Sequence, residues 1–277
     1  MKRITRTGII ILMQLLFASA ACANDKIRSL CEIGYPTDSY IEWGCRKLKV
    51  TDSPSGLFGE SWRDVLRFNR VDRRHFRAGV SIKVPKHLER IKNFNPLPLR
   101  YQDAAGEAKF ILVDQTEMFL GAYRYGTLVF SFPVALGIEG KMVPNGTFRI
   151  DAADRWHKSN LYSIKELGRP YPMHYALRFF VDKSIDTWPS YWIHGRDLPG
   201  YPVSHGCIGL YDEEMQYEYY SDYDRKVYKE NYHELTEPFL QDARTLYEWV
   251  VDPAGDTGGF HEIKNGPRVF IRGMPPR

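Results

Sequence analysis

Between Phe110 and Val181 the chain breaks into short, closely spaced apolar runs separated by turn residues. Phe110-Ile111-Leu112-Val113 reads as a buried strand. Met118 to Tyr123 and Thr127 to Val134 flank Arg124-Tyr125-Gly126, a glycine-containing hairpin turn. Thr147-Phe148-Arg149-Ile150 alternates, as does part of Tyr175 to Val181, and Pro144-Asn145-Gly146 is strong turn chemistry. Strands at this spacing predict a mainly β fold, a β-sandwich or barrel with a few helices, and not parallel βαβ units. Further on, Glu234 to Val251 reads as a helix and Pro267 to Arg272 contains a final strand. Tyr217-Glu218-Tyr219-Tyr220 suits either a sugar platform or a packed amphipathic surface.

Upstream the pattern differs. Trp62, Val65, Leu66 and Phe68 have the spacing of a short amphipathic helix. Ala78-Gly79 follows as a turn, then the alternating Val80-Ser81-Ile82-Lys83-Val84 as a strand ended by Pro85. Two prolines and two asparagines within Asn93 to Pro98 make a linker. A length of 277 residues suits one large domain, or a medium one with a small one. We therefore divide the chain into residues 24–98, a small α+β domain and linker, and 99–277, the larger domain.

Residues 1–23 have the form of an export signal: Lys2, Arg3 and Arg6, an apolar run from Ile9 to Phe17, then the small-x-small Ala21-Cys22-Ala23. The run is short for a bilayer span, so no stable membrane span is expected after cleavage. An uncleaved anchor and lipidation at Cys22 are the alternatives, the second with Ser19 poorly suited three places upstream. Cleavage would take the formal charge from +4 to +1, because three basic residues leave. That charge, with no Lys/Arg stripe, argues against nucleic acid. The mature chain would hold three cysteines, an odd number. A Cys31–Cys45 bridge is permitted outside the cytoplasm and would stabilise by about 3 kcal/mol. Cys207 would then be a free thiol in an oxidising place. That hints at use, against the plainer reading of a buried, inert cysteine.

Chemistry concentrates in Tyr191-Trp192-Ile193-His194-Gly195 and Ser204-His205-Gly206-Cys207-Ile208-Gly209-Leu210. A thiol at its ordinary pKa is only a few per cent thiolate at neutral pH, and a nearby imidazole raises the reactive fraction. His194 ending one strand can face Cys207 on the next segment, with Ile193 and Ile208 buried as supports. Gly206 lets backbone approach closely, so the Gly206 and Cys207 amides could meet a developing oxyanion. Nucleophile, base and oxyanion donors are the parts of acyl transfer. Singly, each residue has a structural explanation. A zinc site of His194, His205 and Cys207 is disfavoured by its spacing and missing fourth ligand, so no metal is expected.

At these residues the sequence resembles the L,D-transpeptidases with the YkuD-type catalytic domain. The family signature, His-Gly, a loop, then Ser-His-Gly-Cys and an apolar residue, reads here as His194-Gly195 and Ser204-His205-Gly206-Cys207-Ile208. Val134-Ala135-Leu136-Gly137 and Val143 to Ile150 resemble the family's upstream glycine and Pro-x-Gly-x-Phe hairpin. The likeness covers roughly 108–274. It implies Cys207 as nucleophile and His194 as base. Gly195 would orient the imidazole, Ser204 and His205 would shape the pocket, and Gly206 would help hold the oxyanion. It implies peptidoglycan tetrapeptide stems as partners, no cofactor, an exported enzyme, and a periplasmic location. The donor would lose D-alanine to form a Cys207 thioester, then pass to an amine. Water as acceptor would make an L,D-carboxypeptidase or amidase; a non-catalytic wall-binding protein is the third reading. Two features depart from the family: Gly209 stands where Arg or Asn is usual, and the loop from His194 to Ser204 is short. Arg196 in that loop is the candidate substrate-binding charge. Residues 45–86 resemble the second half of a LysM module, which implies binding to glycan strands; a structural cap is the alternative.

Overall fold

The computed structural model describes residues 29–164, 167–187, 189–220 and 240–276. The export-signal reading, Cys22 and the first residues of the Glu234–Val251 helix lie outside them.

Two five-stranded sheets face one another. The first has the order β5-β4-β3-β14-β6: Thr127–Pro133, Phe119–Arg124, Phe110–Asp114, Arg268–Arg272 and Gly146–Arg149. The second runs β12-β11-β10-β7-β13: Ile208–Leu210, Ser190–Gly195, Ala176–Val181, Ala152–Asp154 and His261–Glu262. Most pairs are antiparallel; β3 with β14 and β11 with β12 are parallel. The fold is mainly β, as the strand spacing indicates. The β4–β5 hairpin turns through Tyr125 and Gly126 with φ of 47° and 73°. Positive φ at both central residues is the type I′ form whose twist matches antiparallel strands.

Ile111 and Val113 of β3, Leu120 of β4 and Val269 of β14 fill the space between the sheets. They meet Leu177 of β10, Ile193 of β11 and Ile208 of β12. α4 (Asp242–Val250) adds Ala243, Leu246 and Tyr247 to this core. Among the described residues the helix runs from Asp242, with Gln241 as its N-cap residue.

Residues before 99 cover the other face of the first sheet. β1 (Trp43–Lys47) and β2 (Ser81–Pro85) form an antiparallel pair enclosing α1 (Pro54–Phe58) and α2 (Trp62–Phe68). Cys31 and Cys45 are joined by a disulfide. Trp62, Val65, Leu66 and Phe68 of α2 share a second core with Phe94, Leu97, Phe110, Leu112, Phe119 and Tyr123. Phe110 to Val113 is thus apolar throughout because both faces of β3 are covered. Alternation in β2 suggests an outward Lys83, yet Lys83 is buried, donating to Asp38 and to the Ile33 carbonyl. Asp38 also pairs with the fully buried Arg70 at 3.1 Å.

Candidate active site

β11 and β12 lie side by side, Ile193 registered with Ile208 and His194 with Gly209. Ile193 and Ile208 point into the core. Alternation turns Trp192, His194, Cys207 and Gly209 to the opposite face. Cys207 immediately precedes β12 and packs with Trp192, Met173, Ala176 and Tyr171. His194 and Cys207 thus project from neighbouring strands on one face.

The protonation of the pair follows from its surroundings. His194 is 2% exposed, and its Nδ1 lies 2.7 Å from the Gly195 carbonyl oxygen. A carbonyl can only accept, so Nδ1 carries the hydrogen and Nε2 keeps a free lone pair. Burial, then the Arg196 charge, lowers the His194 pKa to about 3. Burial pushes the Cys207 thiol up, against lowering by the Trp192 backbone amide and Arg196. Both shifts favour the uncharged forms, a neutral imidazole at His194 and a thiol at Cys207.

Two glycines are required by what touches them. A Cβ on Gly195 would fall 2.3 Å from Oδ2 of Asp212, and one on Gly206, at φ +117°, 2.4 Å from the Tyr191 ring. Asp212 caps α3 (Glu213–Tyr220) by accepting the Met215 amide at 3.1 Å. Ser204 is buried; its amide donates to Leu136, and its carbonyl accepts from Ile138. Ala135 exchanges backbone hydrogen bonds with Gly209 at 2.9 and 3.0 Å, so the segment Val134 to Gly137 runs beside the Cys207 loop. His205 is exposed and stacks on Tyr162, centroids 4.8 Å apart. Arg196 is half-buried, its amide bonded to Leu210 and its guanidinium 5.6 Å from the Tyr171 ring.

Several residues at the site carry no sequence signal. Tyr162 and Tyr171 come from a hairpin of β8 (Lys158–Ile164) and β9 (Arg169–Pro172). Ile164, Leu167 and Tyr171 of the hairpin pack on Met215, Tyr219 and Tyr220 of α3. That answers the tyrosine-cluster question: Tyr219 and Tyr220 are packing residues, while Tyr217 is exposed. Asp72, fully buried, holds the loop after β11. Its Oδ2 accepts from the Leu198 amide at 2.7 Å and from Gln216 at 2.9 Å, while Oδ1 accepts from the His75 amide. Trp192 was readable, two residues before His194 on the same face. No group of three or more metal-binding side chains occurs among the described residues. No helix among them is long and apolar enough to cross a membrane.

The profile of the L,D-transpeptidase catalytic domain, YkuD, matches residues 108–270, more than half of the chain. The chain belongs to this family. None of the curated proteins matches significantly. Among solved structures, an L,D-transpeptidase from Stackebrandtia nassauensis is 18% identical, with 61% of this chain and 57% of that one covered and a TM-score of 0.36. L,D-transpeptidase 1 of Mycobacterium tuberculosis is 16% identical, with 60% and 62% covered and a TM-score of 0.35. A Xylanimonas cellulosilytica L,D-transpeptidase is 16% identical, with 76% and 79% covered and a TM-score of 0.39. The chain thus spans about three fifths of the first two relatives.

Proposed function

We propose that this protein is an exported cysteine acyltransferase acting on peptidoglycan tetrapeptide stems. The observation that carries the reading is the buried His194, with Nδ1 committed to Gly195 and Nε2 left to accept, on the same sheet face as Cys207. In the first step Nε2 takes the thiol proton as Sγ attacks the carbonyl carbon of the third stem residue. The Gly206 and Cys207 amides meet the oxyanion. The C–N bond to the terminal D-alanine breaks, and the imidazolium returns the proton to the leaving amine. In the second step an acceptor amine loses its proton to His194, attacks the thioester carbonyl, and expels the Cys207 sulfur, which is reprotonated. Water in place of the amine gives a carboxypeptidase or an amidase. Ser204 fixes the loop, and His205 with Tyr162 forms a pocket wall.

Export to the periplasm is supported by the sequence of residues 1–23, by the Cys31–Cys45 disulfide and by family membership. The β1-α1-α2-β2 order of the N-terminal unit supports LysM-like binding to glycan strands. Its shared core with the first sheet supports a cap instead. Both reaction outcomes are separated by incubating the protein with disaccharide-tetrapeptide and resolving products. Crosslinked dimers indicate amine transfer, and shortened stems indicate hydrolysis. Absence of either from a folded, reduced protein, with binding retained, would favour a wall-binding protein.

A further inference from the structure

Gly209 follows the nucleophile by two residues and faces the site. A Cβ built there lies 2.2 Å from both Cγ and Cδ of Arg196 and 3.2 Å from its Cβ. The backbone of Gly209 imposes no positive φ, so nothing in its own conformation requires glycine. What requires it is the Arg196 stem, which fills the volume a side chain would take. The guanidinium is carried over the Tyr171 ring, 5.6 Å away. Arg196 Nε is buried and has no hydrogen-bond partner among the described residues. The adjacent carboxylate, Asp197, is paired with Arg74 at 3.1 Å, and no ion pair to Arg196 occurs among the described residues. Arg196 also heads the charges acting on His194 and is the one cation acting on Cys207 among the described groups. A guanidinium with a donor unpartnered among the described residues, whose charge acts on the thiol, suits an anionic group that arrives from outside.

We propose that Gly209 and Arg196 are one device: the missing side chain at 209 seats the Arg196 stem, and the guanidinium so placed binds a carboxylate of the acyl donor. Naming that carboxylate as one of the stem peptide rests on the proposed function; the charge at the thiol does not. Arg196 is thus a specificity determinant, and Gly209 is a positioning residue acting through it.

The test is charge selectivity at Cys207 in the full chain at low salt. Iodoacetate, which carries a carboxylate, and iodoacetamide, which is neutral, alkylate the same sulfur. Any change in thiol ionisation affects both equally and cancels in their rate ratio. The wild-type ratio should exceed that of a simple thiol by about tenfold, the value of one charge-assisted hydrogen bond. Arg196→Ala and Gly209→Ala should each remove the excess, and the double variant should lose no more than either. The exchange Arg196→Gly with Gly209→Arg should restore it, which a merely structural glycine would not allow. An unchanged ratio in Arg196→Ala, or a retained one in Gly209→Ala, overturns the proposal. Disaccharide-tetrapeptides with the terminal or the third-residue carboxylate amidated then identify the partner. Arg196→Ala should raise KM about tenfold for the free acid and leave one of the two amides unaffected. Equal loss for all three donors overturns the carboxylate assignment. Failure of the wild type to turn over any donor would count against the proposed function, and the alkylation ratio would still decide the charge.

Discussion

The two sheets of the sandwich share one core but differ in what lies outside it. The first is covered again by the N-terminal unit, so Phe110 to Val113 are all buried and Leu112 meets a second apolar core. The second turns its outer face to the site, where Trp192, His194 and Cys207 stand on an aromatic and polar floor. One sheet is a foundation, apolar on both sides. The other is a platform, apolar on one side and chemical on the other. The two large apolar cores lie on the faces of the first sheet, and only smaller clusters such as Met173, Ala176 and Trp192 pack beside Cys207. The two regions are linked through Asp72, which reaches from the N-terminal unit to the loop carrying Arg196.

The largest effect should come from the platform. Cys207→Ala should abolish turnover, a loss of at least about a thousandfold in kcat. It should shift Tm by no more than a few degrees, because Cys207 is only partly buried and the change removes a single sulfur atom. A variant that loses activity through unfolding would break the separation between sheet and site. The converse experiment is on the foundation. Leu112→Ala leaves a cavity between sheet and N-terminal unit and should cost about 2–5 kcal/mol, read by urea unfolding. The kcat of the remaining folded protein should be unchanged, since Leu112 faces away from the platform. A fall in both would show that the foundation tunes the site.

The neutral His194–Cys207 pair predicts a pH response. Iodoacetamide alkylation of Cys207 should rise with pH to a midpoint above the ordinary thiol value, because burial disfavours the thiolate. A midpoint below neutrality would indicate a standing thiolate–imidazolium pair. The linkage for stability has opposite signs in two groups. His194 falls to about 3 and His174 to about 4, both by burial. Their contribution is present above the unfolded histidine pKa and is lost as pH drops from about 6.5 toward those values. Asp212, Glu213 and Asp242 are raised to about 7, again by burial. Theirs is full below the unfolded carboxylate range and is lost as pH rises through about 7. Asp242 Oδ2 has no partner among the described residues. Asp242→Asn should therefore raise Tm by about 2–4 °C at pH 8, by less at pH 5, and leave it unchanged below the unfolded carboxylate range; a loss at pH 8 would show the carboxylate to be stabilising.

Much of the foundation was legible because its physics is local. The Phe110–Val113 run, the Tyr125-Gly126 turn and the α2 periodicity each depend on neighbours in sequence. The two segments of the candidate site were legible, because a strand-end His-Gly and a Ser-His-Gly-Cys loop occur as contiguous residues, and the structure sets them side by side. The rest depends on distant partners. β1 is largely exposed, with Arg46 and Lys47, and has no apolar alternation to read. β8 is polar and exposed, yet it brings Tyr162 to His205. Lys83 is inside only because Asp38 meets it from 45 residues away. The fit of the Arg196 stem over Gly209 is likewise a matter of two strands in register, not of either sequence alone.

The central claim is that Cys207 carries the acyl group. The direct measurement is the intact mass of the protein after rapid mixing with disaccharide-tetrapeptide and acid quenching, with Cys207→Ala alongside. The expected result is an adduct equal to the donor less D-alanine, located on the Cys207 peptide, sensitive to hydroxylamine and missing from the variant. Turnover with the same donor in Cys207→Ala, or an adduct on any other residue, would contradict it.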